Sequence, residues 1–178
     1  GVDSLELFMD LLAEHDEAIR WKTVVTNDRP DKRRWIFAHP TTIPGFNDSG
    51  AHNRNMAFQD GGLQMLQQVV LHPELMPVEQ AIHKLTKMTA DWLGMETGSI
   101  RQGDWADVVV IDPEKLKTGL GDPIEQYDER LMGAMRMVKR SDGVVKNVFI
   151  GGRLAFEDGA FVEEFGNQRF GRLLKSQN

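Results

Sequence analysis

Apolar residues recur at three- and four-residue spacing from Leu5 through Phe8, Met9, Leu12 and Ala13. That period predicts a helix over 3–15 with one apolar face. Asp3 or Ser4 is placed to cap it, with Glu6 in the first turn. The pattern then changes. Trp21-Lys22-Thr23-Val24-Val25-Thr26 is a β-branched run and predicts a strand, ended by Asn27-Asp28-Arg29-Pro30. Asp31 to Ala38 predicts a short helix with Trp35 and Ile36 turned inward. His39-Pro40 stops it, because a residue before proline avoids the helical region. Thr41 to Phe46 predicts a second strand. Two more helices follow, over Gly61–Leu71 (Leu63, Leu66, Val69, Val70) and Pro77–Leu93. Pro77 suits a first-turn position. Ala81, Ile82, Leu85, Met88 and Thr89 line one side of that helix, and Gly94 ends it. Strands alternating with helices predict βα units and a parallel sheet.

The second half has a different pattern. Asp107-Val108-Val109-Val110-Ile111-Asp112 reads as a strand apolar on both faces, closed by Pro113. Residues 114–142 are polar and irregular and give no clear element. Val144–Ile150 is a strand, Gly151-Gly152 a hairpin turn and Arg153–Phe156 the returning strand. Glu157-Asp158-Gly159 is a further turn before Ala160–Glu163. The tail from Gly166 is polar and frayed, with Phe170, Leu173 and Leu174 available to dock it.

Composition narrows the class. A chain of 178 residues makes one domain or two small ones and buries a real core. The 40% hydrophobic and 27% charged content is that of a soluble globular protein. A formal net charge of -6 speaks against nucleic acid, whose binders carry a basic face. There is no cysteine, so neither disulfides nor thiolate metal sites can form. No run reaches the ~18 apolar residues of a membrane helix. The start shows no signal-peptide pattern, which sets the expectation of a cytoplasmic chain, and its opening on Gly1 rather than Met sets that of a trimmed one.

Candidate chemistry concentrates in Thr41-Thr42-Ile43-Pro44-Gly45-Phe46-Asn47-Asp48-Ser49-Gly50-Ala51-His52-Asn53. An acid and an imidazole stand four residues apart in a glycine-flanked loop after an expected strand. Two readings compete: a polar turn with Asp48 bonding its own backbone, or the mouth of an active site. His52 either orients Asp48 and shapes a pocket or is an ordinary loop histidine. Arg54 and Asn55 either meet a substrate carboxylate or face solvent. Asn27 and Asp28 read foremost as helix caps. His15, His39, His72 and His83 read as structural or exposed. Met88, Trp92 and Met95 read as core.

Taken together, NDRP at 27–30, AHP at 38–40, GFNDSGAH at 45–52, ADWLGMETGSIRQGDWADVVVIDP at 90–113 and VFIGGRLAFEDG at 148–159 resemble the amidohydrolase superfamily. The branch they most resemble is the N-acyl-D-amino-acid deacylases (D-aminoacylases). The resemblance covers nearly the whole chain, and Asn47 stands where serine is usual. It implies an α/β fold: the C-terminal part of a (β/α)8 metal-dependent hydrolase barrel over 1–94, a β-sandwich segment over 95–165 and a tail over 166–178. In the family the corresponding aspartate ends the last barrel strand. It takes a proton from water bound to one or two divalent metals, usually zinc, so Asp48 is the expected catalytic base and the expected metal-site residue of this chain, the other ligands lying outside it. His52 and Arg54 are the expected substrate contacts. Active sites of such barrels lie at the carboxyl ends of the strands. The family's His-x-His pair is absent here, so the chain by itself is expected to bind no metal and to be inactive. Self-association, or a partner chain that completes the barrel, is expected with it. The rival expectations are a non-catalytic assembly module and a cyclic-amide hydrolase of the dihydroorotase or hydantoinase kind.

Overall fold

The computed structural model describes residues 1–21, 28–45, 59–129 and 132–176. These form two compact units, Gly1–Trp35 and Ile36–Asn178. In the first, helix α1 spans Ser4–His15. Asp3 caps it: its Oδ1 accepts from the amides of Leu5 at 2.9 Å and Glu6 at 3.2 Å, two donors that an uncapped helix leaves orphaned. No residue of α1 is buried. Phe8 sits 5.2 Å from the Trp21 ring. Most of the expected strand at 21–26 lies outside the described residues.

Helix α2 runs Pro30–Ala38. Its phase differs from the expected one. Trp35 is 64% exposed and Ile36 is exposed as well, whereas Phe37 and Ala38 pack on the core. The helix is short and its first half is polar, so only its last turn has an apolar contact to make. The expected strand from Thr41 is also corrected over 41–45, which form a turn and irregular chain.

The core of the second unit is built on α3, Gly61–Leu71. Met65, Leu66 and Val69 of α3 cluster with Met76, Ala81, Leu116 and Val144. Each large apolar side chain buried this way contributes about 1.5–3 kcal/mol. A long helical run follows: α4 (Val78–His83), a π-helical segment (Lys84–Met88) and α5 (Thr89–Trp92). Thr86 Oγ1 donates to the Ile82 carbonyl at 2.7 Å and Thr89 Oγ1 to the Lys84 carbonyl at 2.8 Å. Both bonds lie along the widened turn. Gly98 presses on this segment with φ of +83°; a Cβ there would stand 2.7 Å from the Thr86 carbonyl carbon. Only glycine fits. Trp92, expected in the core, is 71% exposed, and Ile82 is exposed too, because the run is covered on one side alone.

After it, the chain forms a four-stranded antiparallel sheet in the order β1-β4-β5-β6, from Val108–Ile111, Val145–Ile150, Arg153–Glu157 and Ala160–Phe161. Val109 faces Val148, and Phe149 faces Leu154. Gly151 and Gly152 turn the hairpin with φ of 58° and 79°, the left-handed pair that two-residue hairpins need. β1 is an edge strand, and its Val109 and Val110 are exposed. The stretch 114–142 holds helix α6 (Pro113–Thr118) and the hairpin β2 (Ile124–Asp128) with β3 (Ala134–Val138). The tail is tied down: Arg153 lies over the Phe170 ring at 4.3 Å and Arg172 over Trp105 at 3.7 Å, while Leu173 stays exposed. The architecture is mixed α/β. Every strand pairing described is antiparallel, so the expected parallel βα pairing is not seen among the described residues.

Candidate functional site

The segment 46–58, with Asp48, His52, Arg54 and Asn55, lies outside the described residues, as does Asn27. The chain on either side of it is described: a buried lysine holds the approach, and a largely buried ion pair holds the departing side.

The approach begins at the end of α2. Thr42 folds back, its Oγ1 donating to the carbonyls of Ile36 at 2.6 Å and His39 at 2.9 Å. Lys84 reaches this turn from the π-helical segment. Its Nζ donates to the His39 carbonyl, to the Thr42 carbonyl at 3.0 Å and to Thr42 Oγ1 at 3.3 Å. An ammonium has three donors, and three acceptors are in place. Lys84 is 2% exposed, and burial holds its pKa below the ordinary lysine range. Among the described residues no carboxylate pairs with it. The cation is balanced by carbonyl dipoles at a helix C-terminus, where positive charge is favoured.

The departing side starts at Asp60, ahead of α3. It occupies the N-cap position, but its side chain makes no capping bond. Instead Oδ2 stands 2.9 Å from Lys139 Nζ in an almost fully buried ion pair, and Oδ1 accepts from Gln64 Nε2 at 2.8 Å. Lys139 follows β3, so the stretch without clear elements in sequence supplies a buried partner for the chain leaving the loop. Removing one member of such a pair strands the other charge, at about 3–5 kcal/mol.

The remaining histidines are ordinary. His39 Nδ1 lies 3.0 Å from Thr41 Oγ1, and His72 Nδ1 lies 3.4 Å from Glu74. Among the described residues no group of three or more His, Asp or Glu side chains is placed to hold a metal ion. They do not by themselves fit the divalent metal that the resemblance implies. Nor is any helix among them long and apolar enough to cross a membrane.

Comparison with known proteins places these features. The model of the Amidohydrolase family matches residues 45–155, from the approach to the loop through to the β4–β5 hairpin. The chain is 36% identical over 185 residues to an uncharacterized protein of Mycobacterium bovis, and equally to one of Mycobacterium tuberculosis; the match takes in 99% of this chain and 30% of each relative. It thus spans about a third of the length of these relatives. It is also 36% identical over 94 residues to N-acyl-D-aspartate deacylase of Alcaligenes xylosoxydans, covering 50% of this chain and 18% of that protein. Among solved structures, D-aminoacylase matches over 62% of this chain and 21% of its own, at 26% identity and a TM-score of 0.39.

Proposed function

The chain belongs to the amidohydrolase family, and on that premise we propose that it is the C-terminal portion of a metal-dependent hydrolase of linear amides, with N-acyl-D-amino acids as substrates. The observation that carries this reading is the family match across 45–155, which includes the acid-bearing loop. The similarity to N-acyl-D-aspartate deacylase supports the substrate class.

Asp48 acts as general base. The attacking water adds to the amide carbonyl carbon and gives its proton to the Asp48 carboxylate. The carbon–nitrogen bond then breaks, and the proton passes to the departing amine. Such proton transfer contributes about 10²–10⁴-fold to rate. Arg54 pairs with the substrate carboxylate, and His52 orients Asp48. The metal ligands come from other parts of the polypeptide, as do the barrel strands that would complete the site.

The full-length polypeptide, assayed against N-acyl-D-amino acids, their L counterparts and cyclic amides, tests the reading. Turnover of the linear D substrates is expected. Cleavage of dihydroorotate or hydantoin alone would replace it with the cyclic-amide reading. A folded, metal-supplied protein with no turnover on any of them would make the chain an assembly module.

A further inference from the structure

We propose that residues 168–172 are a clasp, held by Arg153 of the β4–β5 hairpin and closed by Arg172 over the segment that joins the helical run to β1. It is a conformational device: shut, it orders that segment; open, it frees it. It is independent of the reaction proposed above.

The joining segment needs such a device. Residues 100–107 are all exposed, so apolar burial does not fix them, and stretches of that kind open at little cost. Part of their bonding is local: Asp104 Oδ2 accepts from Ser99 Oγ at 2.8 Å and from the Arg101 amide at 2.9 Å. The hairpin turn adds two bonds at one end, the Gly151 amide donating to Asp107 Oδ1 at 2.6 Å and the Gly152 amide to the Ala106 carbonyl at 2.8 Å. Arg172 joins both ends. Its guanidinium lies 3.7 Å from the centre of the Trp105 ring. Nη2 donates to the Glu96 carbonyl at 3.3 Å, and Nη1 stands 3.6 Å from Asp107 Oδ2. A planar guanidinium can stack on a ring and bond in its own plane at once; an ammonium cannot.

Residues 169–176 form neither helix nor strand, so regular structure does not place Arg172. Arg153 does. Its Nη1 donates to the Arg169 carbonyl at 3.0 Å and its Nη2 to Gln168 Oε1 at 2.7 Å, with the guanidinium 4.3 Å from the Phe170 ring centre. Phe170 in turn meets the Phe165 ring edge-on at 5.4 Å. Gly171 then passes Ile150 closely; a Cβ there would stand 3.4 Å from Ile150 Cγ2. The two arginines therefore act in series. Loss of Arg153, whose bonds go to the tail, loosens the joining segment as well.

Hydrogen–deuterium exchange on the full-length polypeptide tests the clasp. Arg172→Met removes the charge and the planar fork. Exchange over 96–107 should quicken about three- to thirtyfold, the range for losing one cation–π contact and one exposed ion pair. Arg153→Met should quicken the same segment by a similar factor. Exchange over Met65–Val69 should be unchanged in both, which shows the core folded. If either variant fails to fold, Trp105→Leu and Gln168→Ala, at exposed positions, take their places, with about two- to fivefold quickening expected. Unchanged exchange over 96–107 in folded Arg172→Met or Trp105→Leu overturns the proposal. So does a quickening confined to the Arg172 or Trp105 variant and not shared by the Arg153 or Gln168 variant, which would make Arg172 a lone contact rather than the end of a clasp.

Discussion

Helices α1 and α3 carry nearly the same sequence pattern and meet opposite fates. Both have apolar residues at three- and four-residue spacing. α3 buries Met65, Leu66 and Val69; α1 buries nothing and leaves Leu5 at 69% exposure. Amphipathicity specifies which face of a helix needs cover. It does not say what supplies the cover. For α3 the cover lies within this chain, in Ala81, Leu116 and Val144. We propose that the apolar face of α1 is an association surface. In a protein whose relatives are some three times longer, more of the same polypeptide is the cover we propose.

The largest expected effect separates the chain from its parent. The chain by itself, purified and supplied with zinc, is expected to hold no stoichiometric metal and to show no amide hydrolysis, whereas the full-length polypeptide is expected to bind metal and hydrolyse amides. Metal analysis with an amidase assay decides it, and measurable turnover by the isolated chain would break the contrast between an open and a completed region.

A second test compares the two helices directly. Met65→Ala should destabilise the second unit by about 2–5 kcal/mol, read from denaturant unfolding. Met9→Ala in α1 should stay within about 0.5 kcal/mol in the isolated chain and cost more in the full-length protein. Equal effects of the two substitutions in the isolated chain would mean that α1 has a cover after all.

Association follows the same logic. The isolated chain should sediment as more than a monomer at micromolar concentration, and Leu5→Ser with Phe8→Ser should shift it toward monomer. A well-behaved monomer before substitution would count against the exposed face as an association surface.

The smallest expected effect lies in the sheet region. Asp112 caps α6, accepting from Lys115 N at 3.0 Å and Glu114 N at 2.9 Å. The hydrogen bond from Lys115 foremost holds its carboxyl below the usual range, with further help from Glu114 N and the Lys146 and Lys115 charges against an opposing burial effect. A carboxyl whose folded pKa is depressed stabilises the fold above its unfolded value of about 4 and loses that contribution as pH falls through the folded value. Asp112→Ala should therefore lower the melting temperature slightly at neutral pH, with the wild-type and variant curves converging in acid. A constant gap down to the lowest pH would remove the cap as its cause.

What was legible in the sequence was local. Asp3, the 3.6-residue period and the Gly151-Gly152 turn are short-range signals, and α1, α3, β4 and β5 fall where they point. Thr41-Thr42-Ile43 reads as the start of a strand by composition. The structure instead spends the Thr42 hydroxyl on the end of α2 and the Thr42 carbonyl on Lys84, a partner 42 residues away. Trp35 misled because periodicity in a nine-residue helix fixes its phase poorly. Residues 114–142 hid a hairpin because β2 is almost wholly exposed and leaves no apolar alternation to read. Lys84 had a signal that went unused: it interrupts an apolar stripe, three residues after Ala81 and four before Met88. Asp48, His52 and Arg54 lie outside the described residues.

We propose that this chain brings the catalytic base to an amidohydrolase site, and Asp48→Asn in the full-length polypeptide is the substitution that decides it. The quantity to measure is kcat on an N-acyl-D-amino acid, alongside metal content and melting temperature. A loss of about 10²–10⁴-fold in a protein that still folds is the result expected. A variant that turns over substrate at the wild-type rate would reduce Asp48 to a turn residue and contradict the account.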